Sequence, residues 1–168
     1  TKDLSAIISK KGLIHFVAIG GIGMSAIASV LKHRGYDVQG SDITENPNLK
    51  RLSEEGVRTF IGHSEQNNLE NVALCVRSSI IKDDNVEIQY CRKHNVPIMH
   101  RSEMLAYVMS DRLAISVSGT HGKTTTTAMI GNVLAEGGLD PTVINGGIIN
   151  GKGSNVYYGN GDYIVSEA

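Results

Sequence analysis

Residues 118–127 read S-G-T-H-G-K-T-T-T-T, entered from the apolar run Leu113–Val117 and followed by Ala128 and Met129. A strand, a glycine turn, then a lysine and threonine opening a helix is the layout of a phosphate-binding loop. Gly119 and Gly122 let the backbone fold tightly enough to aim amide N–H groups at phosphate oxygens. A helix beginning near Lys123 adds the partial positive charge of its N-terminus. In that arrangement Lys123 reaches the β- and γ-phosphates of ATP, as the candidate catalytic residue, and the Thr124 hydroxyl ligates Mg²⁺. The commoner pattern G-x-x-x-x-G-K-[ST] has its first glycine where this chain has Val117, so the loop is a subtype. His121 lies within it and Thr125 just beyond, both placed to touch phosphate.

Outward from the loop towards the C-terminus, the sequence predicts a helix over 124–136, with Gly137 and Gly138 beyond it. A strand follows over 142–144, then a glycine- and asparagine-rich stretch from Gly146 to Gly161, then a strand over 163–165. Glu167 ends that last strand, the usual place for the acid that organises Mg²⁺ in a phosphate-loop ATPase. Three strands are too few to bury such a sheet on both faces. The expectation is therefore that 108–168 is the first part of a domain that continues further.

Towards the N-terminus, strand and helix signals alternate from Leu13 to Met99. Strands are predicted over 13–19, 36–41, 57–61, 72–76 and 96–99, with helices over 25–34, 47–55 and 86–94 between them. A further helix over 102–109 leads into the second unit. Strands separated by roughly ten-residue helices predict an α/β fold, a Rossmann-like parallel sheet wound on both faces, over 1–107. Its first strand runs into A-I-G-G-I-G-M-S at 18–25, which fits G-x-G-x-x-G with Ala18 in the first glycine position. Gly20, Gly21 and Gly23 would admit a pyrophosphate at the next helix N-terminus. Asp42 ends the second strand, where dinucleotide folds place an acid on the ribose. Taken alone, these residues favour NAD(P), the bland alternative being a mere tight strand–helix turn. Ser78 and Ser79 end an apolar strand, where open α/β sheets bind ligands. His15 and His63, taken alone, read as structural.

Composition narrows the class. The 168 residues are 40% hydrophobic and 20% charged, with a formal net charge of −1, which suits a globular core and argues against a general nucleic-acid or membrane-surface binder. Cys75 and Cys91 form neither C-x-x-C nor a zinc pattern, and read as reduced, buried thiols. The uncharged stretch 13–31 is interrupted by Gly20, Gly21 and Gly23, so it reads as strand, turn and helix rather than a membrane span. The first eleven residues are too polar for a secretory signal.

The two loops together resemble the Mur ligases of bacterial cell-wall synthesis. The residues that carry this are H-F-V-A-I-G-G-I-G-M-S (15–25), G-S-D-I-T-E-N (40–46), F-I-G-H (60–63), S-S-I-I-K-D-D-N (78–85), R-S-E-M-L (101–105), the 118–127 loop, A-E-G-G-L-D-P-T (135–142) and V-S-E-A (165–168). Within the family, the chain looks closest to the members acting on UDP-N-acetylmuramate and L-alanine. The resemblance implies a cytoplasmic, three-domain bacterial ligase of peptidoglycan precursor synthesis, serving cell shape and division. Its first domain would hold UDP-N-acetylmuramate, its second ATP and Mg²⁺, and its third L-alanine. ATP would phosphorylate the lactyl carboxylate, and the alanine amine would displace phosphate from the acyl phosphate to form an amide.

Carried over by motif, Gly20, Gly21, Ile22, Gly23, Met24, Ser25, Ser41, Asp42, His63, Ser78 and Ser79 would line the UDP-sugar site. Gly119, Thr120, His121, Gly122, Lys123, Thr124 and Thr125 would hold ATP, with Thr124 and Glu167 at Mg²⁺. The chain departs from the family pattern at Ala18 (usually Gly), at Ser118 (usually Ala) and in G-S-N-V at 153–156. The family's acidic continuation after V-S-E, its adenine pocket and its third domain have no counterpart here. The 168-residue chain is thus expected to be inactive by itself.

Overall fold

The computed structural model describes residues 12–147 and 155–167, and the chain divides into two compact units, 1–105 and 106–168. In the first unit the order is β1 (Leu13–Val17), α1 (Ile22–His33), β2 (Val38–Asp42), α2 (Pro47–Glu54), β3 (Arg58–Ile61), a 3-10 turn (Leu69–Asn71), β4 (Val72–Arg77), α3 (Val86–Lys93), β5 (Ile98–His100) and α4 (Arg101–Met109). The sheet runs β3-β2-β1-β4-β5, every neighbouring pair parallel. The chain winds outward to β3 and returns to β4 beside β1, so the strand order reverses between β1 and β4. Open sheets of this kind bind ligands at that reversal, beyond the carboxyl ends of the strands.

β1 is buried from Ile14 to Val17, as a central strand covered on both faces should be. α1 is buried continuously from Met24 to Leu31, and its Ser25, Ala26, Ala28 and Ser29 keep it thin enough to sit deep. Gly40 in β2 allows the close approach beneath it: a Cβ there would fall 2.6 Å from the Phe16 carbonyl oxygen. α2 begins where Asn46 accepts the N–H groups of Asn48 and Leu49, with Pro47 in its first turn. Val17, Cys75, Ile88 and Cys91 pack together in the core, both thiols free and buried.

The second unit contains β6 (Leu113–Val117), α5 (Lys123–Glu136), β7 (Thr142–Ile144), β8 (Val156–Tyr157) and β9 (Tyr163–Glu167) in the order β6-β9-β7-β8. Its described residues hold four strands, one more than the sequence predicts. The additional strand, β8, pairs antiparallel with β7 through Val143–Tyr157 and Ile144–Val156. Two residues are too short to show any periodicity, and their glycine-rich surroundings read as loop. Gly131 lets α5 lie close on the sheet, since a Cβ there would fall 2.6 Å from Val143 Cγ2.

Candidate functional site

At the carboxyl edge of the first sheet lies a cleft of about 520 Å³. Every parallel strand contributes to it at or just beyond its carboxyl end: Ala18 and Gly20–Met24 after β1, Asp42 and Ile43 at the end of β2, His63 after β3, Ser78–Ile81 after β4, and Arg101 after β5. The glycine loop forms one wall. Ala18 has φ 65°, the left-handed backbone that favours glycine, and it turns the chain out of the strand. The Gly20 N–H donates to Asp42 Oδ2 at 2.8 Å, while the Ile43 N–H donates to Oδ1 at 2.8 Å. Asp42 therefore pins the loop to the end of β2. A side chain at Gly20 would have to displace those of Asn46 and Leu49, since a Cβ would lie 2.3 Å from Asn46 Nδ2 and 2.4 Å from Leu49 Cδ1.

Arg101 supplies the charge. A Cβ added at Gly23 would fall 2.4 Å from Arg101 Nη1, so the guanidinium rests directly on the glycine in the first turn of α1. A guanidinium beside a helix N-terminus presents donors and positive charge to the same volume, the chemistry that binds phosphate or pyrophosphate. Ser78 adds a buried hydroxyl without a partner among the described residues, and Ser79 Oγ lies 2.9 Å from His100 Nε2. Ile22, Ile43 and Ile80 stand 47, 68 and 79% exposed around the opening, an apolar rim suited to a base or sugar face.

Of the eleven residues expected around a nucleotide sugar, nine line this cleft: Gly20, Gly21, Ile22, Gly23, Met24, Asp42, His63, Ser78 and Ser79. Ser25 and Ser41 do not. Ser25 is fully buried and its hydroxyl donates to the Ile22 carbonyl at 3.0 Å, because the helix starts earlier than expected and carries it inward. Ser41 is also fully buried, its hydroxyl 2.8 Å from Nδ1 of the cleft residue His63. It belongs to a network beneath the cleft, centred on Glu87. Glu87 Oε2 accepts the Ser41 hydroxyl at 2.5 Å and lies 3.3 Å from His15 Nε2 and 3.2 Å from His63 Nδ1. Oε1 accepts from Asn67 Nδ2 at 2.7 Å and the Ser64 N–H at 3.3 Å. Burial pushes the Glu87 carboxyl up, but the hydrogen bonds from His15, Ser41 and Asn67 outweigh it and hold the group below the ordinary glutamate value.

In the second unit the phosphate-loop residues 118–122 are exposed, with Gly119 at φ 151° and Gly122 at φ 76°. Lys123 Nζ donates to the Gly119 carbonyl at 2.7 Å, which holds the ammonium over the loop. Parallel pairing of β6 with β9 sets Glu167 opposite Val117, the residue that leads into the loop. The Gly146 N–H donates to Glu167 Oε1 at 2.8 Å, and a Cβ at Gly147 would fall 3.5 Å from Thr124 Cγ2. Gly146 and Gly147 thus run between Thr124 and Glu167. A hydroxyl and a carboxylate are the hard oxygen donors that Mg²⁺ accepts. Among the described residues no group of three His, Cys, Asp or Glu forms a ready-made cage.

Residues 13–113 match the model of the Mur ligase family, catalytic domain. The chain belongs to the Mur ligase family. It is 54% identical over 159 residues to the UDP-N-acetylmuramate–L-alanine ligase of Methylorubrum populi, covering 95% of this chain and 34% of that protein. The ligase of the same name from a Chelativorans species is 55% identical over 157 residues, covering 94% and 34%. Among solved structures, the UDP-N-acetylmuramate–alanine ligase of Thermotoga maritima is similar with a TM-score of 0.85 and 38% identity, covering 93% of this chain and 37% of that one. The chain spans about a third of the length of the curated relatives it matches.

Sequence reasoning missed five contributors to the cleft of this Mur ligase chain: Ile43, Asn46, Ile80, Ile81 and Arg101. An arginine opening a helix reads as a solvated charge, and an isoleucine after a strand reads as core. One signal was available for Arg101, its place directly after a parallel strand, at the edge where α/β ligands bind. It also missed Glu87, which lies outside every motif and takes its meaning only from its partners in space.

Proposed function

We propose that the chain forms the UDP-N-acetylmuramate- and ATP-binding part of a ligase that joins L-alanine to the lactyl carboxylate of UDP-N-acetylmuramate. The observation that carries this reading is the identity of 54% across 95% of the chain to a relative bearing that name. The geometry supports it. In the first unit, Arg101, Gly20–Gly23 and the start of α1 form a seat for a pyrophosphate, while Asp42, His63, Ser78 and Ser79 supply hydrogen-bonding groups on either side. In the second unit, Gly119–Thr125 form the cradle for the ATP phosphates and Lys123 the cation that neutralises charge developing on the transferred phosphoryl group. Thr124 and Glu167 would hold Mg²⁺, which when bound supplies further neutralisation of phosphate charge. The chemistry is positioning plus charge stabilisation, with no covalent role for the protein. A cytoplasmic location follows from the substrates; no helix among the described residues is long and apolar enough to cross a membrane.

Calorimetry on this chain tests the reading. UDP-N-acetylmuramate should bind, NAD should not, and Arg101→Ala should weaken the nucleotide sugar about tenfold or more, the loss of one charge-assisted contact. Saturable NAD binding without a response to the UDP-sugar would overturn it. In the whole enzyme, Lys123→Ala should abolish alanine-dependent phosphate release while the fold persists.

A further inference from the structure

We infer that Glu87 sets the tautomer of His63, so that His63 presents a bare Nε2 lone pair to the cleft and accepts a hydrogen bond from the ligand there. This rests on the reading of the cleft as the nucleotide-sugar site and specifies what one of its walls recognises. The proton positions follow from groups whose roles are not free. Gln39 Nε2 lies 2.8 Å from the Asn67 backbone carbonyl, which can only accept, so that atom is the amide nitrogen and donates. Gln39 Nε2 is also 3.1 Å from His15 Nδ1, which therefore accepts. The proton of neutral His15 is then on Nε2, directed at Glu87 Oε2.

Donor and acceptor roles are fixed in the same way around Ser41 and His63. The Ser41 hydroxyl has one proton and two neighbours, Glu87 Oε2 at 2.5 Å and His63 Nδ1 at 2.8 Å. An ionised carboxylate has nothing to donate, so the Ser41 proton goes to Glu87 and its oxygen is left to accept. His63 Nδ1 faces that oxygen and, at 3.2 Å, Glu87 Oε2: two acceptors. Nδ1 must carry the proton. Nε2, on the far side of a ring that lines the cleft, is then an acceptor in the neutral imidazole.

The consequence is a division of labour within the cleft. Arg101 and the glycine loop present donors and positive charge, which suit phosphate oxygens, whereas a bare Nε2 on His63 repels a phosphate lone pair. It suits a neutral donor: a ribose or sugar hydroxyl, or the imide N–H of a uracil. Glu87 and Ser41 touch no ligand in this scheme. They are positioning residues, buried below the surface that they polarise.

Nitrogen-15 NMR of the chain at neutral pH reads the tautomer directly, through long-range proton–nitrogen correlations of the His63 ring. The expected spectrum shows a protonated Nδ1 and a bare Nε2 before any ligand is added. A proton found on Nε2 would overturn the inference whatever the cleft binds. Glu87→Gln and Ser41→Ala should each move the proton towards Nε2 and weaken UDP-N-acetylmuramate about tenfold; unchanged tautomer and affinity in both would also overturn it. His63→Gln, whose amide oxygen can accept at that position, should retain more affinity than His63→Leu, and equal losses would count against the inference. With the nucleotide sugar methylated at the uracil imide or lacking the ribose 2′-hydroxyl, the loss falls on whichever donor meets Nε2. Failure of the wild type to bind UDP-N-acetylmuramate, with the expected tautomer present, would instead remove the ligand assignment and leave the proton arrangement standing.

Discussion

Ala18 is asked to do a glycine's task. Its φ of 65° is a conformation in which a Cβ crowds the neighbouring backbone, and it occurs where the strand must leave the sheet at once for the loop over Asp42. Ala18→Gly is therefore expected to raise the unfolding free energy by about 0.5 kcal/mol or more, strain relief exceeding the added freedom of the unfolded chain. Urea denaturation decides it, and a destabilised variant would mean that the methyl group's burial outweighs the strain. Glu87 carries the second prediction at this scale. A carboxyl held below its ordinary value contributes stability above that value and loses it as pH falls through the folded-state titration. Glu87→Gln should cost about 1–3 kcal/mol at pH 7, the range for a buried hydrogen-bonded group left badly partnered. The gap should narrow as the pH falls below about 4, and unfolding curves compared at pH 7 and pH 3.5 measure it.

The loop between β4 and α3 shapes the cleft through Ser78, Ser79, Ile80 and Ile81, of which Ser79 and Ile80 are exposed while Ile81 packs partly against the core. A charge clamp further along it adds to that anchor. Asp83 Oδ1 accepts from Arg77 Nη1 at 2.5 Å and Arg92 Nη2 at 2.8 Å, tying the loop to the end of β4 and the last turn of α3. The Arg77 bond, followed by that of Arg92, draws the Asp83 carboxyl below its usual value. Because the clamp is solvent-exposed, it adds little to global stability and is weakened by salt. Its effect is local. Asp83→Asn should leave the unfolding midpoint close to wild type while speeding amide exchange at Ile80 and Ile81 and lowering affinity for the nucleotide sugar. Unaltered exchange at those two residues would show that the loop is held by its backbone turns instead.

At the scale of the whole chain, the second unit exposes apolar side chains that an ordinary surface would bury. Leu113, Met129, Val133 and Leu139 are 58, 55, 71 and 42% exposed. Exposed apolar area of this kind drives association, and a net charge of −1 provides little repulsion to oppose it. The chain should therefore self-associate with rising concentration, more strongly near its isoelectric point of about 6.6. Met129→Lys with Val133→Glu should shift it towards monomer in sedimentation velocity, with the cleft of the first unit still binding its ligand. A monomer across the accessible concentration range would refute the idea.

The alternation of short apolar strands with capped helices, and the two glycine loops that follow strands, were legible in the residues because each is a local matter. Periodicity and a glycine turn act over a few neighbours, so the α/β class and the phosphate loop at 118–127 could be read directly. Element ends were less exact, since α1 begins at Ile22 rather than Ser25, and β8 is too short to signal at all. The strand order β3-β2-β1-β4-β5 was a tertiary matter, set by which faces pack, and it alone brings the ends of five strands around one cleft. Arg101 over Gly23, and Glu87 between His15, Ser41 and His63, join residues far apart in the chain. Their meaning lies in hydrogen-bond geometry and burial, which no run of sequence contains: an exposed arginine and a helix-starting glutamate look alike on paper wherever they stand. Only folding decides that one crowns the cleft and the other lies beneath it.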